Sequence, residues 1–116
     1  MSASTPVVVY AHVPLALYPT WGWGTTDAEQ ALSMMRRFGS VTVLNGHIHQ
    51  VLQKVEGNVT FHTAASTAYP QPAPGDAPAP GPLRVVPEQL LSSLGVRQVT
   101  FVQKAGAPVI VDAQIT

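Results

Sequence analysis

An α/β fold is predicted for this chain, and three observations predict it. Two short apolar runs, Val7-Val8-Val9-Tyr10 and Val41-Thr42-Val43-Leu44, carry no charge and read as strands buried on both faces. Between them lies a stretch with apolar residues at helical spacing, and after them two segments alternate about short turns as hairpins. The order is strand, helix, strand and then more sheet.

The first run follows Met1 to Pro6, a small, polar leader, and its continuous apolar character predicts a central strand, not an edge. His12 comes directly after it, and Pro14 biases Val13 towards extended geometry, which fixes the direction of exit. Residues 16–25 alternate large aromatics with glycines around Tyr18, Trp21 and Trp23. Such a loop suits the rim of a substrate pocket, with Trp21 and Trp23 as rigid contact area, and equally suits aromatics that cap the core.

Thr26-Asp27-Ala28-Glu29 has the form of a capping box and predicts a helix start. Ala28, Ala31, Leu32, Met35 and Phe38 then share one face, Arg36 and Arg37 occupy the expected last turn, and Gly39 stands where a C′ residue belongs. The helix is expected to cover one face of a sheet, with Met34 and Met35 as packing residues. Glu56-Gly57-Asn58 separates Gln50 to Val55 from Val59 to Thr63 as a hairpin, which puts His62 inside a strand, a usual place for a structural, hydrogen-bonded histidine.

Six of the chain's 11 prolines fall between Pro70 and Pro82, which excludes helix and interior strand there and predicts an extended surface loop. Pro87 to Leu94 is expected to form a short helix with Gly95 after its end. A second hairpin is expected from Val96 to Gln103 and Val109 to Ile115, turning at Lys104-Ala105-Gly106.

Composition narrows the function classes. In 116 residues, 46% hydrophobic against 10% charged permits one packed domain and excludes wholesale disorder. Net charge is zero and the six Lys and Arg are scattered, so the basic footprint of a nucleic-acid binder is missing. With no cysteine, disulfides and thiolate metal sites are excluded, and the compartment is left open. No apolar stretch approaches a membrane span, and neither a membrane segment nor an export signal is expected in the chain as it stands.

The chemistry lies at the ends of the two apolar runs. Asn45-Gly46-His47-Ile48-His49-Gln50 presents two imidazoles one residue apart, and Ala11-His12-Val13-Pro14-Leu15 presents a third. Imidazole is the commonest protein ligand for zinc, iron or manganese-type ions, and Gly46 lets the backbone turn sharply or approach closely. Each histidine taken singly is equally at home as a hydrogen-bonded residue at a strand end. His12, His47 and His49 together are the candidate metal ligands, and as three imidazoles they would offer one zinc-like ion three ligands and an open position.

With both motifs in view, the chain resembles the calcineurin-like metallophosphoesterases, binuclear metal hydrolases of phosphate mono- and diesters. The stretch from Glu56 to Thr63 and the Pro-rich run after it resemble a bacterial, often exported, branch of that family, which implies a periplasmic or exported parent. The resemblance implies the C-terminal part of a helix-flanked β-sandwich, covering residues 1–116 as one partial domain. It implies two metal ions, Fe, Mn or Zn, in the complete fold, with His12 and His47 on one and His49 on the other.

The family's Asp-x-His, Gly-Asp and Asn-His-Asp/Glu blocks, which supply the bridging carboxylate and the leaving-group acid, do not precede His12. Gly75-Asp76 and Gly57-Asn58 do not replace them, since the first lies in the Pro-rich run and Val59 follows the second. At most one ion is therefore expected here, and the chain alone is expected to be inactive. Its implied partners are a phosphoester substrate and the N-terminal half of the domain, or another chain, a second copy included. The alternatives are a non-catalytic metal-binding module and a structural or assembly module.

Overall fold

A computed structural model describes residues 1–15, 24–102 and 106–115. The chain is mixed α/β. Strands β1 (Val7–Ala11), β2 (Val41–Asn45), β3 (Leu52–Glu56) and β4 (Val59–Thr63) form one sheet in the order β1-β2-β4-β3. β1 and β2 pair in parallel, as do β2 and β4, whereas β3 pairs antiparallel with β4 as the expected hairpin. Helix α1 (Ala28–Met35) connects β1 to β2. A short helix α2 (Pro87–Leu90) runs into one 3₁₀ turn, and β5 (Gly95–Thr100) and β6 (Val109–Gln114) close the chain as a separate two-stranded sheet.

Register explains the core. Val7, Val41 and Val59 stand abreast across three strands, and Val9, Val43 and Phe61 form the next rung on the same face. Leu32 and Met35 of α1, with Leu15 and Phe38, pack on these rungs, so the helix covers the face that its apolar spacing predicted. Val43 and Phe61 are completely buried, and Met34, expected to pack, is exposed. On the opposite face Thr42 and Leu44 are buried, but Tyr10 and Val55 are 74% and 61% exposed.

Several expectations are corrected. β1 is an edge strand and only half-buried, because among the described residues it has β2 on one side and no strand on the other; β2 is the strand buried throughout. The capping box does not form. α1 begins at Ala28 with Asp27 as its cap and no side-chain cap hydrogen bond, and the nearby hydroxyl of Thr25 donates to the Pro14 carbonyl at 3.3 Å.

At its other end α1 stops at Met35, so Arg36 and Arg37 lie beyond the last turn and Gly39 is not the C′ residue. The Asn58 amide of the β3–β4 turn fills that role, donating to the carbonyls of Met35 (3.0 Å) and Phe38 (2.6 Å), while the Gly39 N–H turns to Ala3. Gly95 follows the short helical segment, as expected, after the 3₁₀ turn ends at Ser93 with Leu94 as its cap. It opens β5, where a Cβ would meet the Ala113 carbonyl at 3.0 Å and the Ala65 Cβ at 3.1 Å.

Residues 70–82 hold neither helix nor strand, as their prolines dictate, but the segment is not wholly surface: Pro70 and Gln71 are buried. Trp21 and Trp23 lie outside the described residues, as do Lys104 and Ala105. No described helix is long and apolar enough to cross a membrane.

Candidate metal centre

The last rung of the sheet is Ala11, Asn45 and Thr63, and the candidate site stands just beyond it, at the C-terminal ends of parallel strands. Each crossing of the chain there is fastened. The Asn45 side-chain amide donates to the Ala11 carbonyl (2.7 Å) and to that of Val13 (3.4 Å), and the Gly46 N–H donates to the His12 carbonyl at 3.1 Å. These bonds lock the exit from β1 to the exit from β2. His12 and His47 are carried on the two locked segments.

The turn after β2 has an unusual backbone. The Ile48 N–H donates to the Gly46 carbonyl at 2.8 Å, closing a three-residue γ-turn around His47, whose φ is +69°; His49 follows at +62°. Positive φ in a non-glycine residue is strained, by about 1–3 kcal/mol each, and persists where its surroundings enforce it. Ile48 between them is completely buried and anchors the turn. Thr63, also fully buried, donates through its hydroxyl to the Gln50 carbonyl (2.6 Å) and accepts from the Leu52 N–H (3.1 Å), which ties the far side of the turn to β4.

His12 and His47 meet edge to face, with ring centres 5.4 Å apart and planes at 84°. Two imidazoles on one ion with metal–nitrogen bonds of about 2.1 Å have centres roughly 5 Å apart, so this pair has the spacing of a shared ligand set. Gly46 makes the approach possible: a Cβ there would stand 3.3 Å from His12 Nδ1. Burial, and after it the charges of His12 and His49, hold the His47 imidazole below its usual pKa, which favours the neutral, ligating form.

His49 is set apart from this pair. Its Nδ1 lies 2.8 Å from the Tyr69 carbonyl, and its ring centre is 4.6 Å from that of Tyr69. The three imidazoles line one open recess of about 320 Å³ together with Tyr69, Gln71, Pro80 and Gly81. They do not converge on one point, and among the described residues no three His, Asp or Glu side chains form a ready metal-binding group. As the chain stands without an ion, the three rings form a pair and a third, separately held, ring. The donor set fits part of a metal centre, two imidazoles at ligand spacing and a third beside them, with no carboxylate among the described lining residues.

His62, on β4, is not part of the recess. Burial first, and the Arg97 guanidinium second, depress its pKa, with Asp112 acting in the opposite sense. Arg97 and Asp112 face each other across the β5–β6 hairpin in a two-pronged pair, with both N–O distances 2.8 Å.

The sequence reading missed the Tyr69–Gln71 segment. The Gln71 side chain donates to the His47 carbonyl at 3.1 Å, and the Gln50 side chain donates to the Gln71 carbonyl. The available signal was a single amide side chain, Gln71, flanked by prolines in a run otherwise of small residues. Compared with protein-family models and with curated proteins, the sequence matches none.

Proposed function

We propose that this chain supplies part of the binuclear metal site of a calcineurin-like phosphoesterase, as the C-terminal portion of its helix-flanked β-sandwich. His12 and His47 hold one ion and His49 a second, of the Fe, Mn or Zn kind. The observation that carries the reading is the His12–His47 pair, at ligand spacing on two locked strand ends, with a strained turn presenting one of the rings. Strain of this sort is retained where side-chain placement matters more than local stability.

Bound ions would lower the pKa of a water and offset charge on the attacked phosphoryl group of a phosphate mono- or diester. This chain's own residues orient and hold. Asn45 and Gly46 fix the spacing of the two strand exits, Ile48 seats the turn, and burial shifts His47 towards the neutral form that ligates.

The missing carboxylates indicate what the partner brings. β1, β2 and β4 run in parallel and all end beside the recess, and β1 has a free edge among the described residues. A further parallel strand on that edge would end next to His12, where a bridging Asp is needed. The N-terminal half of such a domain, or another chain, is the partner this arrangement calls for.

The chain alone is expected to hydrolyse an aryl phosphodiester or monoester no faster than buffer containing the same metal, because the absent groups act as a unit. Adding the upstream half, in one polypeptide or as a second chain, should restore metal-dependent hydrolysis, and His12→Ala, His47→Ala or His49→Ala should each abolish it. Turnover that survives all three substitutions would mean that the site lies elsewhere. The recess without a described carboxylate favours one other reading, a non-catalytic metal-binding or assembly module, and zinc uptake without turnover in the reconstituted protein would select it.

A further inference from the structure

We propose that Tyr69-Pro70-Gln71 is a positioning strap for the histidine site, fixing which nitrogen of His49 is free to ligate and holding His47 in its strained turn. The inference rests on the metal-site reading and adds residues to it from a segment that the sequence pattern assigns to the surface. Three hydrogen bonds connect the strap to the histidine turn. A carbonyl only accepts, so the contact between the Tyr69 carbonyl and His49 Nδ1 at 2.8 Å requires the proton on Nδ1. The lone pair is then on Nε2, and the bond to Tyr69 is the kind of outer contact that sets ring orientation and basicity in metal-ligating histidines.

The second bond runs from the Gln71 side-chain amide to the His47 carbonyl, at 3.1 Å, and the third from the Gln50 side chain to the Gln71 carbonyl. Gln71 is 92% buried by its exposure of 8%, and Pro70 and Pro72 on either side restrict its backbone. A buried amide held by its neighbours on both sides makes a stiff stop for a peptide group. That peptide group belongs to the residue at φ +69°, for which an enforcing contact is needed. Tyr69 also places its ring against that of His49, so the strap restrains both motif histidines at once.

The test uses the whole chain, labelled with ¹⁵N and freed of metal. Long-range ¹H–¹⁵N correlation spectra at pH 8 report each imidazole tautomer directly. His49 is expected as the Nδ1–H form, although a histidine free in water favours Nε2–H. Titration with Zn²⁺ should then move ring-nitrogen resonances of the His12–His47 pair, the site of the one ion expected in this chain alone. Gln71→Met keeps the length and bulk of the side chain without its donor, and should weaken Zn²⁺ binding about tenfold, the lower end of what outer-contact losses cost. Its amide spectrum should stay dispersed.

An Nε2–H tautomer of His49 in the unsubstituted chain, a result that depends on no variant folding, overturns the strap. So does unchanged Zn²⁺ affinity in a folded Gln71→Met chain. Zn²⁺ that moves no histidine ring nitrogen in the unsubstituted chain overturns instead the metal-site reading on which the strap depends.

Discussion

Gly46 sets the distance between the two paired histidines, and its part can be separated from that of a generic turn residue. It does not adopt positive φ, so backbone freedom is not the reason for a glycine there; the close approach of the His12 ring is. A Cβ at 3.3 Å from Nδ1 is tighter than ordinary contact, and the exposed His12 side chain can relieve it by swinging away. Gly46→Ala is therefore expected to change folding stability by less than about 1 kcal/mol while weakening Zn²⁺ binding roughly tenfold. In a His12→Ala background the same substitution should have no further effect on Zn²⁺, because the ring it displaces is gone. Calorimetric titration of the four proteins of this cycle measures the coupling. Equal losses with and without His12 would show that Gly46 acts on the turn and not on the pair.

At the scale of elements, His62 of β4 carries a pH dependence set by its burial and by charges of the β5–β6 hairpin. Burial, and then Arg97, lower the folded-state pKa of His62 from 6.5, more than Asp112 raises it. Its strand neighbours in register, Leu44 of β2 and Gln53 of β3, carry no charge. As pH falls through 6.5 the unfolded chain binds protons that the folded chain resists, so stability is full above that value and declines below it. Urea unfolding at pH 7.5 and 5.5 should show this decline, and His62→Gln should reduce it. The part left in that variant is assigned to His47, whose pKa is lowered in the same direction. An unaltered decline in His62→Gln would place the sensitivity elsewhere.

The elements show which features were legible in the sequence. β2, the β3–β4 hairpin and the β5–β6 hairpin follow from apolar runs and turn residues, which are local properties. The termini of α1 do not, because an asparagine more than 20 residues downstream satisfies its last carbonyl groups and Thr25 is drawn to Pro14. The histidine pair was legible from two strand-end motifs. Positive φ at His47 and His49 was not, since neither side chain signals it and the contacts that enforce it come from Gln71 and Tyr69.

For the whole molecule, the central question is what covers the edge and the open face. The chain exposes 7149 Å², against roughly 6,100 Å² for a compact monomer of its mass. Its radius of gyration is 15.4 Å, where about 13 Å is ordinary for this length. The excess of about 1,000 Å² is comparable with one partner's share of a standard interface, about 800 Å². It includes uncovered apolar side chains, with Tyr10 exposed on β1 and Val96, Val109 and Val111 more than half exposed on the terminal hairpin.

β1 itself holds no charged residue and no proline, the two common means of blunting a sheet edge. The chain alone is thus expected to associate through β1, and light scattering should give a mass above the 12.3 kDa of one copy. Tyr10→Lys adds a charge to the edge at a side chain already 74% exposed, so it should return the chain to monomer with an unchanged circular dichroism spectrum. On the proposed reading, an N-terminal half supplied as a partner should have the same effect on self-association, by occupying the edge. A monodisperse monomer without substitution or partner would show that β1 is protected in another way and that no partner strand is needed beside His12.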